Sequence, residues 1–325
     1  MASQIGYVPY TLTNSQSGAT AASMPQLMQS IDISAIRDYI AGDLSNLYWS
    51  TDTAGSTKLT TWRESGSGPD DSPTWWLNLG SNTIAASGGT LTVYLQVWNG
   101  TEVDGTTTGV APQLTSTYAA SDNGSSVFSK YQNFSGSTTP TGYTTSGTVT
   151  QNNGITMSST GTNYIYYATT QNPQSLIMEV YGHQTGASEY DCKFEWDSTP
   201  AGNPAYMITN DSSDYDLATW SGGTPGSTSM AVAPGTANHV FSIWATSTSA
   251  YGTIDYGSAY SENSNFTAET AMYMSMIQAN AGTVFVQLNR SRIPPPSYVM
   301  PSVTAGSPTG FPTIRTSTDV MEVLD

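Results

Sequence analysis

The chain has 325 residues, enough for two domains of ordinary size. Charged residues make up only 10 % of it, and 24 acidic against 8 basic side chains leave a net charge of −16. A surface that negative repels phosphate backbones and anionic lipid, which argues against nucleic-acid binding and against docking on such membranes.

The composition is rich in Ser, Thr, Gly, Tyr and Trp, a β-sheet palette with many turns. A single cysteine, Cys192, rules out an intrachain disulfide; it falls in a strand-like run and is expected to be a small buried hydrophobe. No run approaches the ~18 apolar residues of a membrane span, and no apolar leader follows Met1.

In chain order, Tyr7–Thr13 reads as a strand followed by a Ser/Gly/Ala loop. Leu27 to Ile33 alternate with strand period, and Ser34 is expected to cap a short helix that runs to Ala41 and stops at Gly42. Leu44–Thr51, Lys58–Arg63, Thr74–Leu79 and Thr90–Trp98 are further strands, the last with Leu91, Val93, Leu95 and Val97 on one face. Tyr164–Thr169, Ser175–Tyr181, Glu189–Trp196, Ala205–Thr209, Val240–Ala245, Ala271–Ile277 and Thr283–Asn289 follow at jelly-roll spacing. Three consecutive prolines close this run, since proline cannot pair in a sheet centre. Residues 301–325 read as a Pro/Ser/Thr-rich tail whose apolar end is expected to dock on a neighbour in an assembly.

Between the two halves lies Ala111–Gly136, APQLTSTYAASDNGSSVFSKYQNFSG. Ala111-Pro112 ends the first half, Asp122-Asn123-Gly124 signals a turn, and Val127, Phe128, Tyr131 and Phe134 are spaced to dock on a core. This joint resembles one in a family of archaeal surface and archaeal-virus proteins. The resemblance extends to Tyr7–Gln16, Ser146–Thr150, Gly154–Ser158, Arg292–Pro295 and Met300–Val303, and so covers nearly the whole chain. It implies an N-terminal β-domain of unknown function paired with a laminin-G or concanavalin-like jelly roll. The expected fold is therefore all-β: two β-sandwich, jelly-roll-like domains in tandem, with one short helix in the first. The boundaries fall at 1–110, 111–136 for the joint, 137–300, and 301–325 for the tail.

Candidate chemistry is sparse. Glu189, Asp191 and Glu195 share a strand face, and concanavalin-type glycosidases carry paired carboxylates on such a face. Glu189 and Glu195, however, are roughly 20 Å apart along a strand. A retaining pair needs ~5–5.5 Å and an inverting pair ~6.5–9.5 Å. The further acid that the glycosidase motif requires after Asp191 is absent, since Lys193 and Phe194 stand there. The strand reads instead as half-buried, with Tyr190, Cys192, Phe194 and Trp196 inward and the charges in water. His183 and His239 form no metal-spaced pair and flank no nucleophile motif.

Asp211, Asp214 and Asp216 form an oxygen-rich loop of the kind that holds calcium in lectin-like sandwiches, or a solvated acidic turn. Calcium is the one cofactor this leaves open. Trp220, Tyr251, Tyr256 and Tyr260 lie in loop-like sequence and are candidates for stacking on sugar rings, with core or rim packing as the competing reading. Glycosylation sequons occur at Asn99, Asn123, Asn133, Asn210, Asn265 and Asn289, a number near what chance yields in so Ser/Thr-rich a chain.

The expectation is a non-enzymatic structural and adhesive surface protein. The first reading is a virion component (turret, spike, fibre or capsid protein) of an archaeal virus, displayed as a homo-oligomer or with other surface proteins; the missing apolar leader implies either that a leader has been removed or that the protein is made and assembled in the cytoplasm. A cell-surface carbohydrate-binding adhesin is the alternative, and a glycoside hydrolase of concanavalin-like fold the second.

Overall fold

A computed structural model of the chain describes residues 3–186, 188, 190–210 and 213–312. The described chain is nearly all β, in two compact units. Among the described residues, unit 1 takes those up to Leu114, Ser121–Val127 and 295–312; unit 2 takes Thr115–Ala120 and Phe128–Pro294. The expected joint is thus divided between the units, and the expected tail begins as part of unit 1.

Unit 1 contains β1 (Gln4–Asn14), β2 (Pro25–Met28), β3 (Leu47–Ser50), β4 (Thr60–Ser65), β5 (Thr74–Asn78), β6 (Gly89–Trp98) and β7 (Thr108–Val110). Unit 2 contains β8 (Lys130–Gln132), β9 (Tyr143–Ser146), β10 (Thr150–Gln151), β11 (Ile155–Met157), β12 (Asn163–Tyr167), β13 (Ile177–Thr185), β14 (Cys192–Asp197) and β15 (Ala205–Asn210). It continues with β16 (Tyr215–Trp220), β17 (Gly226–Ser229), β18 (His239–Ala245), β19 (Ala250–Ile254), β20 (Tyr260–Glu262), β21 (Tyr273–Gln278) and β22 (Thr283–Arg292). The last strand, β23 (Ser302–Ala305), returns to unit 1.

Unit 1 pairs two four-stranded sheets, ordered β23-β1-β6-β3 and β2-β5-β4-β7. Alternation along β1 and β6 turns Val8, Tyr10, Leu12, Val93, Leu95 and Val97 into one core with Trp49, Trp75 and Leu77. The expected helix is a 3-10 turn, Ser34–Tyr39, that buries only Ile36; Ser34 is its first residue and not its cap. The strand expected through Ile33 stops at Met28, because Ser30 adopts a left-handed φ of 49°.

Unit 2 pairs an eight-stranded sheet, β10-β11-β22-β13-β18-β19-β20 with β8 joined to β22, against a seven-stranded sheet ordered β17-β16-β15-β14-β21-β12-β9. Its core takes Met178, Val180, Phe241, Ile243, Val284 and Val286 from the first sheet and Phe194, Trp196, Ile208, Leu217, Met274 and Met276 from the second. Cys192 is buried in the same core. Strand period then forces the intervening residues of both sheets onto the two outer faces.

Candidate functional site

On the outer face of the seven-stranded sheet, β14 presents Lys193, Glu195 and Asp197. Antiparallel register sets Glu195 between Met207 of β15 and Ser275 of β21, and Asp197 between Ala205 and Tyr273. One strand further on each side come Ala218 and Trp220 of β16, and Tyr166 of β12. The charges do not face water as the half-buried reading expected: Glu195 is 1 % exposed, Asp197 0 % and Lys193 8 %. Met207, Ala205 and Ala218 form a small apolar cluster there, packed by Tyr190 and Trp220. Tyr190 therefore belongs to this outer cluster and not to the core.

The two acids touch each other. Asp197 accepts hydrogen bonds from Ser275 Oγ at 3.0 Å and from the backbone N–H of Ala201 at 2.8 Å, which ties the β14–β15 loop to the sheet. Apart from Asp197, no protein group donates a hydrogen bond to either oxygen of Glu195. Burial, followed by the charge and contact of Glu195, raises the pKa of Asp197. Burial also raises that of Glu195, against the opposing charge of Lys193. Two carboxyl groups held together out of water keep a proton between them, because two adjacent buried negative charges cannot both be solvated.

Aromatic rings flank the pair. On one side Lys193 Nζ lies 5.6 Å from the centre of the half-buried Trp220 ring, and Tyr190 is 6.2 Å from Trp220. On the other side Tyr164, Tyr166 and Tyr273 follow one another at 6.0 and 5.4 Å. Trp220 on β16 lies three strand spacings from Tyr273 on β21 and four from Tyr164 and Tyr166 on β12, so the two aromatic groups stand ~14–19 Å apart across the sheet. The arrangement can offer ring faces to a long, neutral, hydroxyl-rich ligand.

The outer face of the eight-stranded sheet holds a second polar cluster of different character. Glu179, fully buried, accepts Arg290 Nε at 2.6 Å, Arg292 Nε at 2.8 Å and Ser242 Oγ at 3.2 Å. Arg290 also donates to Tyr256 Oη at 2.6 Å and lies 4.4 Å from the centre of the Phe128 ring. A one-residue bulge at Gln287 puts both arginines there: Val284 and Val286 point inward, and beyond the bulge Arg290 and Arg292 point outward. Burial pushes the Glu179 carboxyl up, but Arg292 and Arg290 outweigh it and hold it below the usual range.

The other residues singled out in the sequence do not converge. Trp220 is on the seven-stranded sheet, in a strand and not a loop. Tyr251 and Tyr260 lie in strands of the eight-stranded sheet, Tyr251 stacked on Trp244 at 5.6 Å and Tyr260 packed on the core. Tyr256 is held by Arg290. Glu189 and Asp211 lie outside the described residues. Asp191 fastens the turn before β14, accepting the N–H of Ser188 and the Nδ2 of Asn280. Asp214 accepts Ser229 Oγ at 2.9 Å, and Asp216 sits within β16 opposite Thr209. Among the described residues no three His, Cys, Asp or Glu side chains group as metal ligands. His183 Nδ1 meets Asn238 Oδ1 at 2.7 Å, and His239 Nδ1 meets Asp255 Oδ2 at 2.6 Å.

Asn123, Asn210 and Asn289 are buried, so their sequons cannot carry a bulky glycan in the folded chain. Asn123 and Asn289 also spend their amides on Thr106 and Glu179 carbonyls. Asn99 is exposed and Asn133 half-buried, while Asn265 binds the Gly222 and Thr224 carbonyls. The residue that sequence reasoning missed is Asp197. Its signal was the Glu195-Trp196-Asp197 alternation, acid-out and aromatic-in, one step further along the strand than the Glu189–Glu195 pattern.

No known protein-family profile matches the chain. It is similar to an uncharacterized protein of Sulfolobus islandicus rod-shaped virus 1, being 34 % identical over 143 residues, 43 % of this chain and 24 % of the relative. The chain thus matches about a quarter of the length of that curated relative. Among solved structures, a Bacillus licheniformis β-glucanase superposes with a TM-score of 0.40 at 11 % identity, covering 50 % of this chain and 97 % of that one. The Emp47p carbohydrate recognition domain gives 0.37 at 10 % identity, covering 47 % and 89 %. No helix among the described residues is long and apolar enough to cross a membrane.

Proposed function

We propose that this chain is a non-enzymatic, adhesive component of the surface of an archaeal virus particle. In this reading it engages glycan on the outer face of the seven-stranded sheet. The observation that carries the glycan reading is that face itself, with aromatic groups ~14–19 Å apart on either side of a buried acid pair. The similarity to a viral protein supports the particle setting. The acids sit beneath the platform without touching a ligand, and the single negative charge that their shared proton leaves lies beside the opposing charge of Lys193.

Binding is favoured over cleavage by the same geometry. Glycoside cleavage needs two reachable carboxyl groups ~5–9.5 Å apart flanking the bond. Glu195 and Asp197 are in mutual contact and have almost no exposed surface. One observation favours the hydrolase as a second reading: a carboxyl group kept protonated is what a general acid requires.

The test is an oligosaccharide array followed by calorimetry on the best ligand, with reducing-end release measured in parallel. Saturable binding without release, weakened about tenfold by Trp220→Ala, is the expected result. Release abolished by Glu195→Gln makes the chain a hydrolase, and no binding to any glycan removes the reading. Immunogold labelling of purified particles and of washed cell envelopes separates a virion protein from a cellular adhesin.

A further inference from the structure

We propose that β23 is an exchangeable closing strand, and that in the assembled protein residues 302–312 of one copy complete unit 1 of a second copy. This inference is independent of the glycan reading.

Unit 1 is not finished by the N-terminal part of the chain. β1 pairs with β6 on one side, and its other side is filled only when the chain returns after the whole of unit 2. β23 then pairs Ala305, Thr304, Val303 and Ser302 with Tyr10, Thr11, Leu12 and Thr13. Beyond it Thr309 and Tyr7 exchange both backbone hydrogen bonds at 2.9 Å. The seat continues to Phe311, whose ring occupies a notch that only glycine leaves open: a Cβ on Gly6 would lie 2.7 Å from it. Phe311 also packs 4.9 Å from Tyr39, whose hydroxyl donates to the Pro312 carbonyl. Without this segment β1 is an open edge with a ready-made notch, a template that any copy of the same segment fits.

The hinge before the strand is strained. The chain leaves unit 2 at Pro294 and continues through Pro295 and Pro296, which are stiff and cannot pair. Ser297 and Tyr298 then both adopt left-handed backbone, with φ of 53° and 60°, although neither is glycine. Val299, next along, is the one large hydrophobic residue that is exposed, at 47 %, among the described residues. A short strained hinge between a stiff lead and a separable edge strand is the arrangement in which identical chains trade elements. Opening the hinge to an extended backbone removes both left-handed residues while keeping every contact of the seat. Reciprocal exchange closes a dimer; head-to-tail exchange extends into a fibre.

The experiment uses the full chain in a Cys192→Ser background. Thr11 and Thr304 face each other in the register, at a Cα separation of ~4.5–5.5 Å that a disulfide accepts. Chains carrying Thr11→Cys alone and Thr304→Cys alone are mixed, refolded together and oxidised, with the doubly substituted chain as the geometric control. A disulfide-linked heterodimer, and a dimer or larger mass for the wild-type chain by light scattering, are expected. The combined Ser297→Gly and Tyr298→Gly change, which relaxes the closed hinge, should lower the exchanged fraction several-fold. A doubly substituted chain that links only within itself while the mixture stays unlinked overturns the proposal. So does a wild-type chain that remains monomeric across the whole concentration range. Exchange that is unchanged by the two glycines overturns the hinge as its cause.

Discussion

Both sheets of unit 2 bury carboxyl groups on their outer faces, and they do so in opposite ways. On the eight-stranded sheet Glu179 has two arginines and a serine on its two oxygens, so its charge is kept and its pKa falls. On the seven-stranded sheet Glu195 has no hydrogen-bond partner but Asp197, and burial outweighs the opposing charge of Lys193, so the pair keeps a proton and its pKa values rise. Equal burial thus yields an arginine-locked carboxylate on one face and a proton-holding acid pair beside a single lysine on the other, according to what the neighbouring strands supply. The first arrangement gives both oxygens of Glu179 a charged donor. The second leaves polar capacity unused beneath a rim of aromatic rings, and that is why the candidate site is placed there.

The largest expected effect tests the lock. Glu179→Gln strands two buried guanidinium groups without their counter-charge and should cost about 3–5 kcal/mol in denaturant unfolding. A loss below ~1 kcal/mol would show that the arginines are solvated or held elsewhere.

The second test is pH, where the two clusters have opposite signs. The folded pKa of Glu179 lies below its unfolded value of ~4.3, so its stabilisation is present above that pH and is lost as pH falls towards the folded value. The folded pKa values of Glu195 and Asp197 lie above the unfolded ~4. Their native state binds the extra proton, so their contribution is complete below pH ~4 and is lost as pH rises towards the folded values. Asp197→Asn should therefore flatten the alkaline side of the stability profile and leave the acid side intact. At neutral pH it should gain on the order of 1 kcal/mol. An unchanged alkaline slope would mean the pair is not the proton holder.

A smaller effect separates rim from base. Trp220→Ala should weaken glycan binding about tenfold while shifting stability by less than ~1.5 kcal/mol, because the ring is only half-buried. Asp197→Asn should leave that binding within about twofold, since the side chain is fully buried beneath the rings and does not face a ligand. The least effect is expected one residue from the outer face. Burial, helped by the Asp191 charge, pushes the Cys192 thiol up to about 12, so a thiol reagent should not label it until the unit unfolds. Labelling of the native protein at neutral pH would show that β14 opens locally.

What the chain announces by itself is the set of inward-facing residues. Alternation in Thr90–Trp98 and in Phe194-x-Trp196 places those side chains in their cores whatever lies opposite, because strand period is a local property. The all-β class, the two-unit scale and the buried cysteine follow from the same local reading. The character of each outer face was not legible in this way. Glu195 reads as solvent-facing until β15 and β21 bring Met207 and Ser275 beside it. Glu179, Arg290 and Arg292 meet only because of a bulge at Gln287 that no residue pattern marks. Ser302–Ala305 reads as tail, yet it is a strand, because its partner β1 lies almost three hundred residues away. Local pattern determined which residues are apolar-in. Long-range register alone decided which polar residues share a face, and so which acid holds its charge and which holds a proton.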